Sequence, residues 1–248
     1  MGGRLLRDVR MGAGMPGSGR PYAVMTDPVP TAPERAAMER FLRDHAPLTP
    51  VALCPEISVH QAHGLMDVWD AAERLAGGTL PSPFWAYAWP AGSALARVVL
   101  DDPGHVRGRR VLDFGGGGGV AGLAAAYAGA AAVTVNDIDP WALLAARIAA
   151  DAQHLPLATL LADLCADASP VDAYDVILCS DLAYERHQAP RQRRVLERAR
   201  QNGATVLVAD AGRTYFDPAD MRLLAEYAVA VPADLEGTSM RVARVYEL

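Results

Sequence analysis

The 248 residues carry 23 basic and 29 acidic side chains, a formal net charge of −6, and about half of them are apolar. That is material for one α/β domain with an added lobe, and its acidic balance argues against a protein that grips a nucleic-acid backbone by charge. Cys54, Cys165 and Cys179 lack CxxC spacing, which disfavours a disulfide framework or a structural zinc site and fits a reducing, cytoplasmic compartment; no apolar run reaches the ~18 residues of a membrane span.

Residues 1–30, rich in Gly, Pro, Met and Arg, lack the apolar core of a secretory signal and read as a flexible extension, with Met25 as an alternative start. Residues 31–104 read as an N-terminal helical annex or lid. Within it, "TAPERAAMERFLRDH" predicts a helix over 33–45 and an extended piece is expected near Val51–Leu53. A second helix over about 61–76 should close at Gly77-Gly78. His60 and His63 stand three apart but have no third metal ligand nearby in sequence, so a metal site is disfavoured. Pro81, Pro83 and Pro90 keep the next stretch extended, and Gly92–Leu100 can form a helix ended by Pro103.

Residues 105–248 read as the catalytic domain. Strands are expected at "RRVLDF", "AAVTVN", "ATLLA", "YDVILCS", "GATVLVAD" and "RVARVYEL", and helices at "GVAGLAAAYAG", "DPWALLAARIAADAQ", "PRQRRVLERARQ" and "DPADMRLLAEYA". Such alternation predicts a doubly wound, mostly parallel sheet covered on both faces, with its ligand at the carboxyl ends of the strands where strand order reverses. Arg191, Arg193 and Arg194 lie beside Glu185 and Glu197 and read as a solvated helix face.

Five consecutive glycines, Gly115–Gly119, sit at the first strand-to-helix turn, where positive φ and close approach of a ligand to the main chain are expected. Gly117, Gly119 and Gly122 spell a dinucleotide fingerprint with Asp137 twenty residues on. Asp113, Gly115, Gly117 and Gly119 equally satisfy the acid-led turn that binds S-adenosyl-L-methionine. The second reading is favoured, because a carboxylate at that strand end repels a pyrophosphate but can hold an ammonium, and about a hundred residues precede the turn. A buried Asp113 would need a partner, and a cation is expected. Asp137 is then placed on the ribose hydroxyls, with Asp139 as helix cap, Ile138 on the adenine face and Asp163 on the adenine amino group or in a plain loop role. Asp181 and Tyr184, after "YDVILCS", offer a carboxylate and a phenol suited to an amine; an acid capping the next helix and a packed tyrosine are the structural counterparts.

"PFWAYAWPAGSALARVVLDDP", "RVLDFGGGGGVAGLAAAYAGAAAVTVNDIDP", "SDLAY" and "VLVADAGRTYF", with "PEISVH" and "DVWDAAE" upstream, resemble the seven-β-strand methyltransferases of family 16. Within that family they are most similar to the branch that methylates lysine in the electron-transfer-flavoprotein β subunit, and the resemblance covers residues 38–248. It implies a seven-stranded Rossmann-like sheet and S-adenosyl-L-methionine as cofactor, and a protein lysine as acceptor, without nucleic acid or membrane. It further implies Asp181 and Tyr184 as the catalytic Asp-x-x-Tyr pair, with Asp181 also facing the cofactor. Asp113–Gly119 becomes the cofactor turn, and Trp85 and Trp89 border the entrance. Relatives usually carry a serine among the loop glycines, where this chain has only glycine. Transfer to a small nicotinamide-like amine, dinucleotide-dependent oxidation and cofactor binding without catalysis stay open as alternatives.

Overall fold

The computed structural model describes residues 32–248; the expected N-terminal extension lies outside them. Helix α1 (Ala32–His45) precedes a hairpin of β1 (Leu48–Val51) and β2 (Cys54–His60), and α2 (Leu65–Ala76) follows. The helix expected from residue 61 therefore starts four residues later. Residues 61–64 form a loop after β2, which pairs with β1 through Leu48↔His60 and Pro50↔Ser58 across a turn at Ala52-Leu53. Gly77 ends α2 in the left-handed conformation, its N–H donating to Glu73 O. A 3-10 turn (Phe84–Ala86) leads to α3 (Pro90–Asp101).

The main sheet comprises β3 (Arg110–Phe114), β4 (Ala132–Asp137), β5 (Ala158–Leu161), β6 (Val176–Ser180), β7 (Thr205–Asp210), β8 (Arg222–Ala230) and β9 (Met240–Glu247), in the order β5-β4-β3-β6-β7-β9-β8. The first five strands run parallel and β9 is antiparallel to both neighbours. Helices α4 (Val120–Tyr127) and α5 (Pro140–Ala152) join α3 on one face, and α6 (Ala189–Gln201) covers the other. Side-chain alternation makes this double layer possible: Val111, Val176 and Leu207 face α3 and α4, while Leu112, Ile177 and Val206 face α6. Helix α1 packs on α5 through Met38 and Phe41, and α2 joins the same apolar cluster through Val68, beside Trp85 of the 3-10 turn.

One element departs from expectation. "DPADMRLLAEYA" holds no helix; its second half opens β8, which lies against β9 in antiparallel register. Leu, Ala and Glu favour a helix locally, but the cross-strand partners decide otherwise. Glu226 faces Arg244, whose Nε donates to it over 2.6 Å, and Arg222 pairs with Glu247. A short helix α7 (Ala233–Glu236) connects the two strands.

Strand order reverses beside β3, whose neighbours are β4 and β6. Phe114 is abreast of both Asn136 and Cys179, so the loops that follow β3, β4 and β6 emerge at one sheet edge. Among the described residues no helix is long and apolar enough to cross a membrane.

Candidate active site

A cavity of about 520 Å³ opens at that edge, within the size range of small-molecule sites. Its floor is Gly115–Gly118, the turn from β3 into α4. The protein itself explains much of the missing side-chain volume. A Cβ on Gly118 would stand 2.6 Å from the Trp85 carbonyl oxygen, one on Gly116 2.6 Å from Asp113 Oδ2, and one on Gly115 2.6 Å from Leu182. Gly117 differs, with φ +53° and no atom nearer than 3.7 Å to its Cβ position. It is the glycine whose backbone conformation, rather than crowding, excludes a side chain. Gly119 lies outside the cavity walls and turns toward Ala146 of α5.

Asp113 does not line the cavity. It is buried beneath the turn, and its Oδ2 accepts from the Gly122 N–H over 2.8 Å. The cation expected for it is thus replaced by a main-chain donor. Burial, reinforced by the nearby Asp137 charge and only partly offset by that N–H, pushes the Asp113 carboxyl up to about 7.

Asp137, at the end of β4, lines the cavity and braces the glycine floor: Oδ2 accepts from Gly117 N and Oδ1 from Asp139 N, each over 2.9 Å. The Ile138 N–H also acts on this carboxylate, and of its roughly four lone-pair sites at least one is left for a ligand hydroxyl. Asp139 caps α5, accepting from Trp141 N, so capping does not occupy Asp137. Ile138 projects into the opening and is 72% exposed. Asp163 also borders the cavity, but its Oδ1 already accepts from Cys165 N and Ala166 N, the loop role. Above the floor stand Phe84, Tyr87, Trp89 and Tyr184, joined edge to face: Tyr87–Trp89 centroids are 5.0 Å apart, Phe84–Trp89 5.8 Å and Phe84–Tyr184 6.0 Å.

Asp181 follows β6 with φ +52°, a left-handed conformation that aspartate tolerates better than most residues. Both of its oxygens are engaged. Oδ2 accepts from Ala91 N, capping α3, whose own N-cap residue Trp89 makes no side-chain cap, and Oδ1 accepts from Arg213 Nε, each over 2.9 Å. The Asp181 carboxylate thus caps the earlier helix α3 rather than the helix that follows it, while also lining the cavity. Burial pushes it up to about 6 despite the Arg213 charge and the Ala91 N–H.

Arg213 is the main residue that sequence reasoning missed. It lines the cavity, stacks 5.3 Å from the Trp89 ring centroid, and reaches from Asp181 to Glu236 Oε1 at 3.0 Å. Arg241 Nε closes the network on Glu236 Oε2 at 2.9 Å. The only available signal was a lone basic residue just after β7, facing an acid at the end of β6. His60 Nδ1 lies 2.8 Å from Ala46 O, and no group of three His, Cys, Asp or Glu among the described residues could hold a metal.

Residues 84–226 match a family model described as lysine methyltransferase. The chain is 35% identical over 173 residues to the electron transfer flavoprotein beta subunit lysine methyltransferase of Danio rerio, covering 69% of this chain and 66% of that one. The namesake from Mus musculus is 30% identical over 217 residues, covering 85% and 84% respectively. Among solved structures, SMU.776 in complex with SAH superposes with a TM-score of 0.50 at 12% identity over 77% of this chain and 54% of that one, a likeness of fold. Gly122, which completes the dinucleotide spelling with Gly117 and Gly119, lies outside the cavity walls. Gly122 instead lets α4 approach the sheet, since a Cβ there would stand 2.7 Å from Val135. The match spans the segments that build the cavity floor and its aromatic wall, and the chain belongs to the lysine methyltransferase family.

Proposed function

We propose that the chain transfers a methyl group from S-adenosyl-L-methionine to the side-chain nitrogen of a protein lysine, with the electron-transfer-flavoprotein β subunit as acceptor. The observation that carries this reading is one cavity in which the glycine floor, the Asp137 carboxylate and the Asp181–Tyr184 tip meet under an aromatic wall. The donor set suits an adenosyl cofactor: Asp137 for the ribose hydroxyls, Ile138 for the base, and a floor at Gly117 bare of side chain. Asp113 serves by holding the turn from below. The acceptor follows from the relatives' activity, and the relatives' lengths are largely matched.

Bound there, the cofactor supplies a methyl group on a cationic sulfur that an uncharged amine can displace. A lysine ammonium, with a pKa of ~10.4 in water, must first lose its proton. Partial desolvation in the cavity and the cofactor's positive sulfur would both favour the neutral amine, whereas the Arg213 charge is offset by Asp181 and Glu236. Asp181, locked by Ala91 and Arg213, fixes the geometry of the transfer point rather than abstracting the proton. Phe84 and Tyr184, each about half exposed at the rim, line the path of an alkyl side chain.

The experiment is methyl incorporation from labelled cofactor into purified electron-transfer flavoprotein, set beside nicotinamide and simple amines. Because the 248 residues include no lysine, labelled lysine in the mixture belongs to the acceptor. Asp181→Ala should abolish turnover while adenosylhomocysteine affinity changes by less than about tenfold. Label found only in the small amines would replace the acceptor class, and turnover surviving in Asp181→Ala would remove the role given to that carboxylate.

A further inference from the structure

A second cavity, of about 330 Å³, lies on the other side of the 181–184 loop, between β7 and α6. Leu182 and Gln192 belong to the walls of both cavities, so the two stand back to back. Nothing in the proposed methyl transfer uses the second one.

Two acceptor atoms here are buried and have no hydrogen-bond partner, Asp210 Oδ2 and Gln192 Oε1. Asp210 is 4% exposed. Its other oxygen, Oδ1, accepts from Gly212 N and Arg213 N, at 2.6 and 2.8 Å. Strand alternation brings its side chain out on the face of β7 shared with Val206 and Val208, where α6 packs. Gln192 comes from α6 itself. A buried carboxylate oxygen left unpaired is costly, and the nearby cavity can deliver a donor to it.

The walls say which donor. Glu197, Asp217 and Asp220 join Asp210, and the single guanidinium among them, Arg193, is already paired with Glu197 and Asp220. Even with the Arg213 charge that also acts on Asp210, four carboxylates against two cations favour a positive ligand. Leu182, Phe216 and Met221 supply apolar surface. An apolar stem with a cationic, donor-only tip matches both features; an anion or a neutral hydrocarbon matches neither. We propose that this cavity is a subsite for an alkylammonium group, separate from the methyl-transfer point, with Asp210 Oδ2 and Gln192 Oε1 as its acceptors. A lysine side chain and a free alkylamine present the same chemistry.

The test is calorimetric titration of the full chain with n-butylammonium and, as its neutral counterpart, n-butanol, with and without saturating adenosylhomocysteine. Saturable binding of the ammonium alone, unaffected by the nucleoside, is expected. Asp210→Asn keeps an oxygen for the Gly212 and Arg213 N–H groups but sets an NH2 where the ammonium would bind. It should lower affinity about tenfold or more, as loss of a charged hydrogen bond does, with adenosylhomocysteine affinity unchanged. Gln192→Leu reads the opposite wall and should lower affinity about threefold, which keeps the test open if Asp210→Asn folds poorly. Nα-acetyl-lysine methylamide separates the sources: binding like butylammonium marks a subsite open to both, and binding of butylammonium without the lysine derivative marks a subsite for free alkylamines. Equal binding of butanol, or an ammonium affinity that responds to Asp181→Asn but not to substitution of Asp210 or Gln192, overturns the proposal while leaving the methyl-transfer reading untouched.

Discussion

Arg213→Met removes a guanidinium but keeps an apolar stem of similar length against Trp89. The structure sets the cost. Arg213, 18% exposed at its side chain, neutralises Asp181 at 9% and Glu236 at 2%. Breaking a buried pair by deleting one partner costs about 3–5 kcal/mol. Glu236 keeps Arg241 and Asp181 keeps the Ala91 N–H, so the lower end, about 3 kcal/mol, applies. For a domain of this size each kcal/mol moves Tm by roughly 2–4 °C, so a fall of about 6–12 °C is expected. Differential scanning calorimetry and urea unfolding measure it. Adding Asp181→Asn to Arg213→Met removes the carboxylate that has lost its guanidinium, keeps an oxygen for the Ala91 N–H, and should return at least about 1 kcal/mol relative to the sum of the single changes. If Arg213→Met costs less than about 0.5 kcal/mol, or the two substitutions are simply additive, the guanidinium is not the centre of a buried charge network and the reasoning fails.

Gly118→Ala drives a Cβ to 2.6 Å from the Trp85 carbonyl and should cost about 1–3 kcal/mol in urea unfolding, whereas Gly78→Ala meets nothing within 4 Å and should be neutral; equal stabilities would show that the aromatic segment does not press on the turn. Stability should also depend on pH in an unusual direction. Asp113 and Asp139 are pushed up to about 7 and Asp181 up to about 6, chiefly by burial. Between pH ~4, where these acids ionise in the unfolded chain, and pH ~7 the native state holds more protons, so stability falls as pH rises through that window. Asp175, held near 2 by Arg110, acts oppositely and only below about pH 4. The ligand-free chain should therefore melt at a higher temperature at pH 5.5 than at pH 8 in matched salt, with the slope reduced in Asp113→Asn; a Tm that rises across that interval would contradict the buried acids.

The parallel core was legible because its signal is local. "RVLDF", "VTVN" and "VILCS" are short apolar runs bounded by glycine or acid, and such runs become strands wherever helices can cover both faces. The segments that local pattern did not resolve are those whose partners lie elsewhere in the chain. "MRLLAEYA" carries helix-forming residues and becomes β8 only because Arg244 and Glu247 wait on β9, while "PEISVH" becomes β2 by pairing with Leu48–Val51.

At the site, the sequence by itself determined the acid-led glycine turn and the carboxylates at the strand tips, since each is a property of one strand and the loop after it. Only the tertiary structure decided what those groups touch. Asp113 meets a main-chain N–H instead of a ligand, four glycines of the loop are fixed largely by neighbours such as Trp85, Asp113, Leu182 and Ala146, and Asp181 is shared between a helix end 90 residues earlier and a guanidinium 32 residues later. The reason is physical: the partner of a buried charge is set by which loops the sheet order gathers at one edge, and sheet order is settled by packing the whole chain rather than by any stretch of it.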